Sequence, residues 1–243
     1  MNPISYLERF VQPRDPLATV GGYHWCSTEN LASILKLGLL SHNEMHKRQL
    51  AHIDLSQADV QERRAKLSLY RGGPPLHDYA NLCWHPRNPA LLKVVSRPGK
   101  SPLVVLEFSP DILKFPQTRA IPQHAVGHLP YQNARQGQIW WARSQHLELL
   151  LANYPDWDLN SWKGAGVDQW GEPTYTDLLK KKLLQAEVLV PHWIGGEYIR
   201  KIYVGSLAEA QLAQLQIAKA TTAGWTPRPI PIVVCGHLFF ESW

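Results

Sequence analysis

Strand-like and helix-like stretches follow one another in this 243-residue chain without the regular alternation of a doubly wound sheet, and that pattern points to an α+β fold. Tyr23-His24-Trp25-Cys26 reads as a short strand. Ser27 or Thr28 can cap the helix after it, where Leu31, Ile34 and Leu35 recur at helical spacing and Gly38 supplies the stop. Gln57 to Leu67 reads as a polar helix holding Glu62, Arg63 and Arg64, and Arg71-Gly72-Gly73-Pro74-Pro75 is a turn-rich break. Cys83 and Trp84 end a short extended run. Leu103 to Phe108 is the clearest buried strand, and Asp111 to Leu113 fits a short turn or helix. Ala186 to Val190 is a strand halted by Pro191, and Lys201 to Val204 is another. Ser206-Leu207-Ala208-Glu209 is a capping box that opens a helix with Leu207, Leu212 and Leu215, and Pro229 to Cys235 reads as a last strand. No Gly-x-Gly-x-x-Gly follows a strand and no Walker loop is present, which argues against a Rossmann or P-loop nucleotide site.

Between Pro116 and Thr176 the pattern is irregular, apart from a helix expected near Gln145 to Ala152, and a further helix is expected from Asp177 to Leu184. The irregular stretch holds Trp140, Trp141, Trp157, Trp162 and Trp170. A segment this long with little periodicity inside a domain is usually functional or disordered, and its aromatic content favours function. With 44% hydrophobic residues the chain can bury one full core, so residues 1–243 read as a single domain. Residues 1–22 form an N-terminal extension, and about 116–176 form a Trp-rich insert. A formal charge of +5 permits contact with a polyanion without demanding it. Cys26, Cys83 and Cys235 stand far apart, which argues against a disulfide framework or structural zinc. Met1 to Gly22 has no apolar run, so neither a signal peptide nor a membrane span is expected there, and a cytoplasmic home is the simplest expectation.

Several groups are candidates for chemistry. His42 and His46, like His124 and His128, are spaced to share a helix face, but no cysteine or carboxylate completes a ligand set and no metal is expected. Lys180-Lys181-Lys182 can meet phosphates or form a solvated face. Glu187 is sharper. Alternation turns Val188 and Val190 away from it, and an unpaired carboxylate in an apolar strand is costly. It is either an edge-strand charge or a functional group, and Glu107 in Leu103–Phe108 competes for the same role.

His24-x-Cys26, Asn30-Leu31 and Ile34-Leu35-Lys36-Leu37-Gly38-Leu39-Leu40 resemble the opening of the DarT family, the DNA ADP-ribosyltransferase toxins of bacterial toxin–antitoxin systems. The resemblance continues through Val60-Gln61-Glu62-Arg63-Arg64-Ala65 and is strongest at Leu76-His77-Asp78-Tyr79-Ala80-Asn81, with Pro86-Arg87-Asn88-Pro89 just after. Asn133-Ala134 resembles a short Asn-Ala signature, and Gln185-Ala186-Glu187-Val188-Leu189-Val190-Pro191 matches the closing segment, so the pieces run in order from about His24 to Val204.

The resemblance implies a split β-sheet core of the ADP-ribosyltransferase type with NAD, the donor substrate, in the cleft between its halves. Carried over by position, Glu187 is the catalytic glutamate, and Arg63 or Arg64 is the arginine near the phosphates and target base. His24, Cys26, Asn30, Gly38, Leu39 and Tyr79 bind the cofactor, with Tyr79 beside nicotinamide. Losing nicotinamide leaves an electron-poor ribose that a nearby carboxylate stabilises, and an arginine holds the diphosphate. The acceptor it implies is a base in single-stranded DNA, typically thymine, with guanine the alternative. Unpaired bases stack on aromatic faces, so Trp140, Trp157 and Trp162, together with Arg87 and Asn133, are candidate DNA contacts. A macrodomain-type antitoxin is the implied partner. Cys26 stands where the family usually has threonine or serine, Leu82 and Cys83 replace an aromatic pair, and Lys181 replaces a more usual arginine. These departures bear on the target base more than on the enzyme class. RNA or protein as acceptor, and a non-catalytic NAD- or nucleic-acid-binding module, are the rival readings.

Overall fold

The computed structural model describes residues 22–68, 72–83, 86, 89–96, 99, 101–121 and 187–239. Leu103–Phe108 (β4) has six consecutive buried residues, and a run of that kind needs neighbours on both edges and cover on both faces. It receives both. The other strands of its sheet are Tyr23–Ser27 (β1), Tyr79–Cys83 (β3), Arg119–Ile121 (β5), Glu187–Pro191 (β6), Ile199–Val204 (β8) and Ile232–Val234 (β9). Their order is β5-β6-β3-β1-β4-β8-β9, antiparallel except where β9 runs parallel to β8. Leu39–Leu40 (β2) and Trp193–Ile194 (β7) pair in a separate ribbon.

Alternation along the strands sorts the apolar residues into two cores. Val104, Leu106, Val188, Val190 and Ile202 share one face with Leu31–Leu37 (α1) and the long helix Leu207–Thr222, which is α5 in chain order. Tyr23, Leu103, Val105 and Tyr203 share the opposite face with Leu91 and Val94 of Pro89–Val95 (α4) and with Leu238 and Phe239. Two polar helices, His42–Lys47 (α2) and Ala58–Lys66 (α3), have no fully buried apolar side chain.

The sheet is joined unequally. β1 pairs with β4 at five positions and β3 with β6 at five, but β1 meets β3 only at Tyr23↔Cys83. Beyond that pair the halves separate, and the side chain of His24 spans the gap by donating from Nδ1 to the Asn81 carbonyl at 3.0 Å. The expected split sheet is therefore present, and its opening is where a ligand cleft forms.

The α+β reading holds, with local differences. The helix after β1 begins as a 3-10 turn, Thr28–Asn30, because the Ser27 hydroxyl accepts from the Glu29 amide one turn early. The last strand is Ile232–Val234 rather than Pro229 to Cys235, since the two prolines before it lack the amide a ladder requires. The segment read as irregular from Pro116 contains β5, which pairs with β6 through Arg119↔Leu189. Three residues carry no detectable period, so only the pairing reveals them. α4 was not anticipated, and the helices expected near Gln145 to Ala152 and Asp177 to Leu184 lie outside the described residues. Among the described residues no helix is long and apolar enough to cross a membrane.

Gly38 joins α1 to β2 with φ 83° and ψ 172°, a region open in practice only to glycine. A Cβ there would run into the Ile194 carbonyl and the Trp193 ring. Gly38→Ala is expected to cost roughly 3 kcal/mol, read as an earlier urea midpoint at unchanged slope; an unshifted midpoint would refute the role of this turn.

Candidate active site

β6 turns Val188 and Val190 into one core, so alternation turns Glu187 to the other face, where it is 2% exposed. A buried carboxylate needs a partner, and α3 supplies one: Arg64 Nη1 donates to Glu187 Oε2 at 3.1 Å. Arg64 is the one fully buried residue of α3. Its neighbour Arg63 lies about 100° further round the helix and makes an exposed pair with Asp59 at 2.9 Å. Helical rotation thus turns Arg64, and not Arg63, to the glutamate.

Glu107, the rival carboxylate, is fully buried on the same sheet face. It accepts from the Tyr203 hydroxyl at 2.6 Å and from Lys201 Nζ at 3.4 Å. Burial, then that carboxylate, push the Tyr203 hydroxyl well above its usual pKa. The register places Glu107, Tyr23, Cys83 and Glu187 on one row across the sheet. The two carboxylates are three strand steps apart, roughly 14 Å, and Glu107 does not line the cleft.

That cleft opens at the sheet split and measures about 510 Å³, within the range of small-molecule sites. His24, Cys26, Asn30, Gly38, Leu39 and Tyr79 all line it, as do Arg63 and Arg64. Glu187 is not among the lining residues, whereas its partner Arg64 and its cross-strand neighbour Cys83 are.

The lining residues differ in what they can still offer. Because His24 Nδ1–H is committed to Asn81, its Nε2 keeps a lone pair, and burial lowers its pKa to about 4. His24 is a neutral acceptor suited to a hydroxyl. The Cys26 thiol, pushed up to about 12 by burial, stays protonated and is no nucleophile. Both side-chain amide atoms of Asn30 are engaged with the backbone of Ile53. Its Nδ2 donates to the Ile53 carbonyl and its Oδ1 accepts from the Ile53 amide, both at 2.9 Å, which pins the segment Leu50–Gln57 along the cleft.

Gln61, His42 and His77, to which the sequence alone gave no role in binding or catalysis, also line the cleft. His77 Nε2 bonds to Gln61 Oε1 at 2.9 Å, and His42 stacks on His77 at 4.1 Å and on His46 at 4.3 Å between ring centroids. The shared helix face foreseen for His42 and His46 is present. The signal for His77 was its place beside Tyr79 in Leu76-His77-Asp78-Tyr79. Arg87, Asn133, Trp140, Trp157 and Trp162 lie outside the described residues.

The family profile described as "ssDNA thymidine ADP-ribosyltransferase, DarT" matches residues 23–240. The chain belongs to the DarT family. A curated relative, the DNA ADP-ribosyl transferase of Thermus sp. (strain 2.9), is 31% identical over 177 residues, covering 69% of this chain and 73% of the relative. Among solved structures, this DarT-family chain is similar to Thermosipho africanus DarTG in complex with ADP-ribose, with a TM-score of 0.63 at 20% identity. That match covers 90% of this chain and 51% of the other, so the chain spans about half the length of the Thermosipho protein. It is also similar to Thermus sp. 2.9 DarT in complex with ADP-ribosylated ssDNA, with a TM-score of 0.62, 21% identity and coverage of 90% and 95%. The same Thermus protein in complex with NAD+ matches with a TM-score of 0.56, 19% identity and coverage of 92% and 98%. At these identities the structures speak to the fold.

His24 and His77 are both lowered to about 4, in each case chiefly by burial. The unfolded chain binds these protons near pH 6.5, while the folded chain refuses them until about pH 4. Stability conferred by the neutral rings is therefore complete above pH 6.5 and declines as pH falls toward 4. Urea midpoints measured across that window should fall with pH, and His24→Asn, which keeps a donor for Asn81, should flatten the dependence. A slope identical to that of the parent would show that His24 does not contribute.

Proposed function

We propose that this chain transfers ADP-ribose from NAD to a thymine base in single-stranded DNA, with Glu187 and Arg64 as its catalytic pair. The observation that carries the residue assignment is the buried Arg64–Glu187 contact at 3.1 Å beside a cleft of nucleotide-holding size. Family membership supplies the reaction class, with NAD as donor substrate and single-stranded DNA as acceptor.

The residues present fit such a donor. Arg64 is a cation at the cleft wall, able to exchange its carboxylate partner for phosphate oxygens or for an acceptor base. His24 Nε2 can accept from a ribose hydroxyl, and the Tyr79 ring, 4% exposed, offers a flat wall for nicotinamide. As Arg64 shifts toward substrate, Glu187 can accept from a ribose hydroxyl and stabilise the positive charge that develops on the ring. The ribose–nicotinamide C–N bond breaks and its electron pair leaves with the pyridinium nitrogen, which becomes neutral. The thymine ring nitrogen, having lost its proton, forms the new C–N bond, so the products are ADP-ribosylated DNA, nicotinamide and one proton. A guanidinium beside the base favours its deprotonated form.

The same reading takes residues 1–243 as one catalytic domain in the cytoplasm and a macrodomain-type antitoxin as the partner. It takes Arg87, Asn133, Trp140, Trp157 and Trp162 as DNA contacts. A base stacked on tryptophan contributes about 1–3 kcal/mol, so each single Trp→Ala change should weaken oligonucleotide binding by about 5- to 150-fold in a titration. Unaltered affinity for all three variants would remove the tryptophans from the interface.

The deciding assay is purified protein with labelled NAD and short single-stranded oligonucleotides, read by intact mass. One added ADP-ribose is expected on thymine-containing DNA, with the rate lowered on the order of 10²–10³-fold or more in Glu187→Ala and Arg64→Ala. Modification of guanine-only oligonucleotides would move the acceptor to guanine. NAD turnover with unmodified DNA would move it to RNA or protein, and no turnover at all would favour a binding module.

A further inference from the structure

We infer that His77, acting through Gln61, is a positioning residue that holds α3 so that Arg64 stays opposite Glu187 while the arginine exchanges partners during the reaction. The inference rests on the reading of Arg64 and Glu187 given above.

α3 is an unusual carrier for a catalytic side chain. Its nine residues bury nothing apolar, and Arg64 is its one fully buried member. A helix this short and polar is not stable alone, so its place must come from specific ties. At its C-terminal end the Leu76 amide donates to the Leu67 carbonyl at 2.8 Å. Across its inner face, Arg64 holds Glu187 and Gln61 holds His77. Gln61 and Arg64 are three residues apart and therefore lie on the same face, one turn from each other.

These two side-chain ties differ in permanence. The Arg64–Glu187 tie must loosen whenever either group turns to substrate. The Gln61–His77 tie is then what keeps the arginine in register. His77 is itself well fixed, because it belongs to the 3-10 turn Leu76–Asp78, which runs directly into β3. Asn43 Nδ2 donates to Asp78 Oδ1 at 2.6 Å and the His192 amide donates to the Asp78 carbonyl at 2.7 Å, so α2 and the end of β6 both fasten that turn. His42 covers the His77 ring from α2. Burial keeps His77 neutral, which leaves one N–H, and the Gln61 oxygen accepts it. The chain thus ties a short polar helix to the half-sheet that carries Tyr79 and Glu187.

The test is steady-state kinetics of the full chain with NAD and a thymine oligonucleotide. The variants are His77→Leu, Gln61→Leu, their double, and His77→Gln, with Arg64→Ala as reference. Each single leucine variant should lower kcat by about 10²-fold, the scale of a misplacement near 1 Å, while KM for NAD moves by less than about threefold. The double variant should be no worse than either single, because both remove one contact. His77→Gln, whose amide can donate near the former Nε2 position, should recover most of the rate. Should His77→Leu fail to fold, Gln61→Leu carries the test, since Gln61 is half-exposed. Full kcat in folded leucine variants, or losses that multiply in the double, would overturn the inference. If Arg64→Ala is itself fully active, the assignment of the catalytic pair fails instead, and the two failures are distinguishable.

Discussion

Everything in the cleft depends on one ion pair taken out of water. Glu187 and Arg64 are almost wholly enclosed: the strand under Glu187 is apolar, and Arg64 is the one buried residue of α3. Pairs of this kind seldom add net stability over an apolar substitute, but losing one partner strands the other at a cost of about 3–5 kcal/mol. That asymmetry makes the pair a constraint on geometry rather than a source of stability. On the function proposed above, the carboxylate is kept desolvated for a developing cation, and its resting partner is the cation that turns to phosphate or base.

The second constraint is the incomplete join between β1 and β3. Five ladder positions on either side hold the two half-sheets rigid, and one position joins them. The unused edges near the opening would leave backbone polar groups without partners. His24 takes up one of them with its side chain, and in doing so fixes its own tautomer. A structural need and a chemical one are met by the same hydrogen bond. Asn30 repeats the device by tying both amide atoms to the backbone of Ile53, which fixes the segment after α2 along the cleft.

Much of the fold was legible because burial leaves a periodic trace. Leu103–Phe108, the first strand, the helix ending at Gly38 and the capping box at Ser206 were readable from spacing and capping chemistry alone, and each stands where expected within a residue or two. The structure confirms the capping box in detail, with Ser206 accepting from the Glu209 amide and Glu209 accepting from the Ser206 amide. β5 left no such trace, because three residues hold less than two full alternations. α2 left only the spacing of His42 and His46 as a trace, since a helix with no buried residue has no apolar stripe.

What the amino-acid order settled by itself was residue type and local geometry: a carboxylate in an apolar strand, two adjacent arginines on a polar helix, a glycine at a turn, and a series of short motifs whose order matched one family. Alternation alone could not separate Glu187 from Glu107, since both sit in buried strands, and it was the match to the family's closing segment that favoured Glu187. Arg63 and Arg64 stayed unseparated, since adjacent residues differ only in rotation about a helix whose facing was unknown. Tertiary structure shows which of these groups meet. Glu107 is sealed beneath Tyr203 and Lys201, Glu187 is met by Arg64, and Arg63 points to solvent. The role of His77 was likewise invisible before folding, because its partner is sixteen residues away and their contact exists only when α3 packs against the turn before β3. Local chemistry is written in sequence; which local groups face one another is a property of packing, and catalysis is read from the facing.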